Sequence, residues 1–140
     1  PKSGASAPGH FHFQAGNKGF LPIDSSPHWN NALRIESVDR KEMLDRFELI
    51  YNDLPIPLGE DEPKMNIITF YGNGLWTTFV FPRKKHRPAC FSAEGEAQMI
   101  ITPGAVDMGG VLIMPMEKDF NKITAGLIEG ILNEVNEKKI

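Results

Sequence analysis

Apolar positions recur along the chain with two different periods, and the switch between them divides it into elements. Residues 10–15 alternate, so a period of two places His10, His12 and Gln14 on one face of a strand and Phe11, Phe13 and Ala15 on the other. The apolar trio is expected to anchor that strand to a core. Residues 16–31, with Gly16, Asn17, Gly19, Pro22 and Pro27, read as irregular, and residues 32–36 as a short strand. Helical spacing then takes over. Val38, Leu44, Phe47, Ile50, Tyr51 and Leu54 share one face, Ser37 is placed to cap the helix, and Pro55 with Pro57 stop it.

An acidic linker over 58–64 leads to two β-rich runs, 65–71 and 75–81, and the intervening Gly72-Asn73-Gly74 marks a hairpin. Residues 98–102 and 111–114 look like further strands around the Pro103-Gly104 and Gly109-Gly110 breaks. Phe120, Ile123, Leu127, Ile131 and Val135 form the apolar stripe of one closing helix, ended by Glu137-Lys138-Lys139. Strands, helix, strands, helix predicts an α+β domain with a mainly antiparallel sheet and two principal helices.

Composition narrows the partners. With 140 residues, 41% of them hydrophobic, the chain is expected to form a single domain over 1–140. A formal charge of -3 offers no general attraction to nucleic acid or anionic membrane. No apolar run approaches the length of a membrane span and no segment reads as a signal peptide, so the expected compartment is cytoplasmic. Cys90 is the sole cysteine, which rules out an internal disulfide and a zinc site of several thiolates. The chain opens at Pro1 with its chemistry-bearing segment following at once, so it is expected to be the C-terminal part of a longer protein.

His10-x-His12-x-Gln14 carries the sharpest chemistry. A neutral imidazole can attack phosphorus when its other nitrogen is held by an acceptor, and the Gln14 amide can donate to a phosphate oxygen without titrating. Upstream, Ser3, Gly4 and Ser6 supply hydroxyls and backbone N–H groups suited to phosphate oxygens. Lys18 lies close downstream. Arg83-Lys84-Lys85-His86-Arg87 is the strongest basic run; Arg83 and His86 are its candidates for a phosphate clamp, and solvated charge at a strand end is the plainer account of the rest. Asp107 and Glu94 are titratable without an evident role.

His10-Phe11-His12-Phe13-Gln14-Ala15, followed by Leu21-Pro22-Ile23-Asp24, resembles the histidine-triad-like superfamily in its transferase branch, with the motif H-x-H-x-Q. The likeness is nearest to the GDP-L-galactose phosphorylases and more distant to the diadenosine tetraphosphate phosphorylases and galactose-1-phosphate uridylyltransferases. Ser3-Gly4-Ala5-Ser6 is similar to a Ser-Gly-x-Ser segment of the second group; Thr102-Pro103-Gly104-Ala105 and Met108-Gly109-Gly110 loosely resemble a segment of the first. The resemblance implies a histidine-triad-like fold in which His12 attacks the α-phosphorus, His10 orients it and Gln14 holds phosphate oxygens. It also implies nucleotidyl transfer or phosphorolysis of a nucleoside diphosphate sugar or dinucleoside polyphosphate. Glutamine at the third position, where hydrolases carry histidine, points to transfer. A nucleotide or nucleotide-sugar substrate and a homodimer follow by analogy. No cofactor is required, and a divalent metal is compatible but not indicated.

Two alternatives stay open. Gly4, five residues and then His10-x-His12 match the start of a cupin metal motif, in which both imidazoles would hold a divalent ion in a sugar-binding or isomerase-like protein. Ala15 and Gly16 stand where a cupin needs glutamate. The other alternative is a nucleotide-binding remnant without catalysis.

Overall fold

A computed structural model describes residues 2–5, 9, 13–26 and 32–137. It is an α+β structure built on a three-stranded antiparallel sheet: β1 (Leu33–Ser37), β2 (Met65–Gly72) and β3 (Leu75–Pro82), in the order β1-β3-β2. Central β3 pairs Val80 with Leu33 on one side and with Ile67 on the other. The β2–β3 hairpin forms as its sequence implies. Asn73 and Gly74, at φ 54° and 76°, take the two left-handed positions of a tight hairpin turn, the conformation whose twist matches the strands it joins.

Strand alternation sorts the side chains onto two faces. Leu33, Ile35, Met65, Trp76 and Val80 pack against Met43, Phe47 and Ile50 of α1 (Arg40–Asp53). The helix begins two residues later than Ser37 would dictate. Asp39 is the cap, its Oδ1 accepting from the N–H groups of Lys41 and Glu42 at 2.6 and 3.3 Å. Ser37 stays in β1, where its Oγ accepts from the Asp39 N–H and donates to Glu42.

On the opposite face, Ile68, Phe79 and Phe81 meet Ile23, Ala32, Met108 and Val135. Ile23 lies in a single 3-10 turn, Pro22–Asp24, held by its N–H to the Gly109 carbonyl. Met108 ends the short α2 (Ala105–Met108), and Val135 ends α4 (Ala125–Val135). A third cluster joins Met99, Ile101 and Ile131, with Cys90, Leu112, Met114 and Ile123 around it. Thus α4 is wedged between the sheet and residues 98–114.

Three expected elements come out differently. Residues 98–102 and 111–114 have no regular structure and join no ladder: the Met99 N–H goes to the Cys90 carbonyl, the Ile100 N–H to the Asp119 carboxylate, and the Ile101 N–H turns back to the Met99 carbonyl. Their alternation buries Met99 and Ile101 without a partner strand. The closing helix is two helices, α3 (Glu117–Lys122) and α4, because Thr124 turns extended and caps α4 through Oγ1 to the Leu127 N–H. A β-branched hydroxyl residue favours that capping role over a helix interior, and Phe120, beyond the break, is left 65% exposed.

The strand expected over 10–15 is also not found in its described part. Residues 13–17 have no regular structure and Phe13, an expected anchor, is 85% exposed. Among the described residues no strand pairs with this segment, so its backbone has no ladder to join.

Burial predicts a contrast in stability. Phe81→Ala should cost about 3–5 kcal/mol in urea unfolding, since a buried ring leaves a cavity. Leu49→Ala, on the outer side of α1, should stay within about 0.5 kcal/mol. Equal costs would contradict the placement of the core.

Candidate functional site

The open end of the hairpin gathers several of the residues singled out in the sequence. Asn66, near the start of β2, donates from Nδ2 to the Ser3 carbonyl at 2.9 Å and accepts at Oδ1 from Arg83 Nη1 at 2.6 Å. The same Nη1 reaches the Pro103 carbonyl at 2.7 Å, while Nη2 reaches the carbonyls of Lys85 and His86 at 3.2 and 3.3 Å. His86 Nδ1 in turn accepts from the Gly4 N–H at 3.2 Å. Ser3, Gly4, Arg83 and His86 therefore meet in one hydrogen-bonded cluster.

Local backbone explains why the Ser3–Gly4 turn fits there. Gly4 has φ +82°, and a Cβ at this position would lie 1.9 Å from the Pro103 carbonyl oxygen. Only a residue without a side chain can approach that closely. Lys2 adds a solvent-screened surface ion pair to Glu60 at 2.8 Å.

The electrostatics follow from burial. Arg83 is 4% exposed, and loss of water pushes its guanidinium down to about 10, opposed by the attraction of Asp107. Its Nη donors are committed to oxygens of the protein itself. Burial also lowers the His86 imidazole below its ordinary value, and the positive charges of Arg87, Arg83, Lys64 and Lys2 lower it further. Asp107 is buried too; burial raises its carboxyl although the N–H groups of Ile113 and Gly104 both donate to it at 2.8 Å. It braces the 104–113 loop.

The other candidates lie elsewhere. Lys18 sits against Gly72 at the turn end of the hairpin, with Nζ 3.9 Å from Asp24 Oδ1. From Leu75 to Arg83 the strand advances about 3.3 Å per residue, roughly 26 Å in all. Lys18 and Arg83 therefore cannot hold the same phosphate. Gln14, the last position of the motif, is exposed in the irregular segment 13–17. His10, His12 and Ser6 lie outside the described residues. The exposed Glu94 joins neither end.

Asn66 was not singled out in the sequence, although a signal exists. It is a polar residue at a position whose neighbours of the same parity, Ile68 and Phe70, face the core. Pro103 offers no such signal, because its role is carried by its carbonyl. Among the described residues no three His, Cys, Asp or Glu side chains gather as metal ligands, and no helix is long and apolar enough to cross a membrane.

No family model, curated protein or solved structure matches the chain. Its chemistry has to be argued from these side chains.

Two outcomes follow. Gly4→Ala should detach the turn, exposing Lys2 to trypsin and freeing the Asn66 side-chain amide to exchange. Gly74→Ala, with equally positive φ but open space around it, should show only the left-handed backbone penalty of about 1–2 kcal/mol. Indistinguishable variants would refute the role of Pro103.

For His86, the folded protein favours the neutral ring, so the unfolded state takes up the proton first on acidification. The contribution of His86 to stability should be complete above its ordinary value near 6.5. It should be lost as pH falls from there through the lowered folded value. Titrating the Gly4 amide and the His86 ring nitrogens by NMR should give one common midpoint below 6.5; a midpoint above it would contradict the arrangement.

Proposed function

We propose that the protein catalyses nucleotidyl transfer or phosphorolysis on a nucleoside diphosphate sugar or dinucleoside polyphosphate, as a transferase of the histidine-triad-like kind. In the first step an imidazole nitrogen of His12 bonds to the α-phosphorus and the bond from that phosphorus to the bridging oxygen breaks. The sugar phosphate or nucleotide leaves with the electron pair. In the second step an acceptor oxygen, of inorganic phosphate or a sugar phosphate, attacks the nucleotidyl-histidine and returns the imidazole. Two displacements give retention at phosphorus. His10 orients the nucleophile and Gln14 donates to phosphate oxygens.

The observation that carries this reading is the exposure of Gln14, the last position of the motif. The Ser3–Gly4 turn upstream of it is fixed and buried. Its backbone is held by Asn66 and His86 and by the close approach of Pro103. With the Gly4 N–H spent on His86 and the Ser3 carbonyl on Asn66, the buried turn anchors the chain upstream of the motif and offers neither group to a phosphate. Gln14, exposed, is accessible to a ligand. In this reading Arg83 is a positioning residue: it reaches Ser3 through Asn66, and it also binds the carbonyls of Pro103 and His86. Lys18, at the other end of the hairpin, takes no part in that loop.

The test is direct. Incubation with α-phosphate-labelled GDP-glucose, UDP-glucose or diadenosine tetraphosphate should leave an acid-labile, alkali-stable label on His12. Label that persists in His12→Ala would overturn the assignment of the nucleophile.

A further inference from the structure

At the turn end of the sheet a cleft of about 270 Å³ opens between the 18–26 segment and the strands. Four charged side chains line it: Lys18, Asp24, Arg34 and Glu36. Ile23, Phe70, Leu75 and Phe79 supply its apolar wall. The Ser3–Arg83–His86 cluster at the opposite end of the hairpin does not touch this cleft.

Size and charge select the ligand. Small-molecule sites commonly enclose about 300–1,000 Å³, so this volume suits one ring and not a whole nucleotide. Two cations against two carboxylates cancel, leaving no net attraction for an anion such as phosphate. The polar geometry is more selective still. Arg34 Nη2 already donates to Glu36 Oε1 at 2.6 Å, and Thr77 Oγ1 reaches the same oxygen at 3.4 Å. An amino-acid zwitterion would have to part that pair to bind. Lys18 Nζ and Asp24 Oδ1 stand 3.9 Å apart, too far for a direct hydrogen bond, while the Gly19 N–H holds the other Asp24 oxygen in place. A hydroxyl both accepts and donates, so it can complete the Lys18–Asp24 gap without breaking either pair.

We propose that this cleft binds a neutral polyhydroxylated ring, a pyranose. Its hydroxyls bridge Lys18 to Asp24 and meet Glu36 and Thr77, and its C–H face lies on Phe70 and Leu75. The binding of this ring is independent of the preceding reading.

The isotopically labelled protein is titrated with D-glucose, D-galactose and D-mannose, and separately with L-leucine and inorganic phosphate, while backbone amides are followed by NMR. One of the hexoses should shift the amides of Lys18, Gly19, Asp24 and Thr77 saturably, with a Kd on the order of 1 mM. Asp24→Asn should weaken it at least about tenfold and Thr77→Val a few-fold. Thr77→Val preserves shape and serves if Asp24→Asn does not fold. Absence of hexose shifts, shifts of the same amides by leucine or phosphate, or binding undiminished in the variants would each overturn the proposal. Label on His12 does not enter this readout, so failure here leaves the nucleotidyl-transfer reading standing, and the reverse holds equally.

Discussion

The structure depends on the burial of one cation. Removing a guanidinium from water costs several kcal/mol, and Arg83 has no carboxylate within ion-pair distance among the described residues to offset it. What holds it is a set of four neutral acceptors, from Asn66, Lys85, His86 and Pro103. Hydrogen bonds to a charged donor contribute about 1.5–3 kcal/mol each, so the burial is tolerable only while the set stays complete. The acceptors belong to three separate parts of the chain. The guanidinium thereby fixes the end of the hairpin, the basic turn after it, the 103–104 loop and, through Asn66, the N-terminal turn. Its own backbone N–H bonds to the Lys64 carbonyl, and the neighbouring Lys84 and Lys85 N–H groups bond to Val135 at the end of α4.

The elements that were legible in the sequence are those decided by local chemistry. The hairpin follows from two β-rich runs and from Asn73-Gly74, which accept positive φ at little cost. For α1 the apolar spacing and the two prolines were enough, though not to choose between Ser37 and Asp39 as cap. That choice is tertiary, since Ser37 is bound into β1 opposite Trp76. Residues 98–114 misled because alternation reports which side chains are buried, not whether a partner strand exists. The apolar stripe from Phe120 to Val135 misled for a related reason: it spans a break that a single hydroxyl, at Thr124, is able to impose.

Much the same division holds at the site. Ser3, Gly4, Arg83 and His86 were marked as polar or basic residues of interest, and they do assemble. The signals that marked them, a serine-glycine loop and a run of positive charge, speak of residue type and not of burial. Whether a guanidinium faces a ligand or the inside of its own protein depends on residues 17 and 20 positions away, Asn66 and Pro103. Proline's carbonyl leaves no trace in a side-chain pattern. Lys18 shows the converse. Close to the motif along the chain, it is separated from Arg83 by the length of a strand.

The N-terminal turn also carries a consequence for the order of folding. Its anchors lie 63 and 82 residues along the chain, at Asn66 and His86. Loop-closure entropy grows with the logarithm of separation, so the contact to His86 costs roughly 3 kcal/mol more to close than a three-residue hairpin turn. Nor can the turn dock until Arg83 has gathered Pro103 and the basic turn around itself, because those groups form the surface it meets. During synthesis the turn emerges before the groups that hold it and has nothing to bind until Pro103 has been made. A segment made before its anchors is thus set in place after them, and its position reports that the rest of the fold is complete.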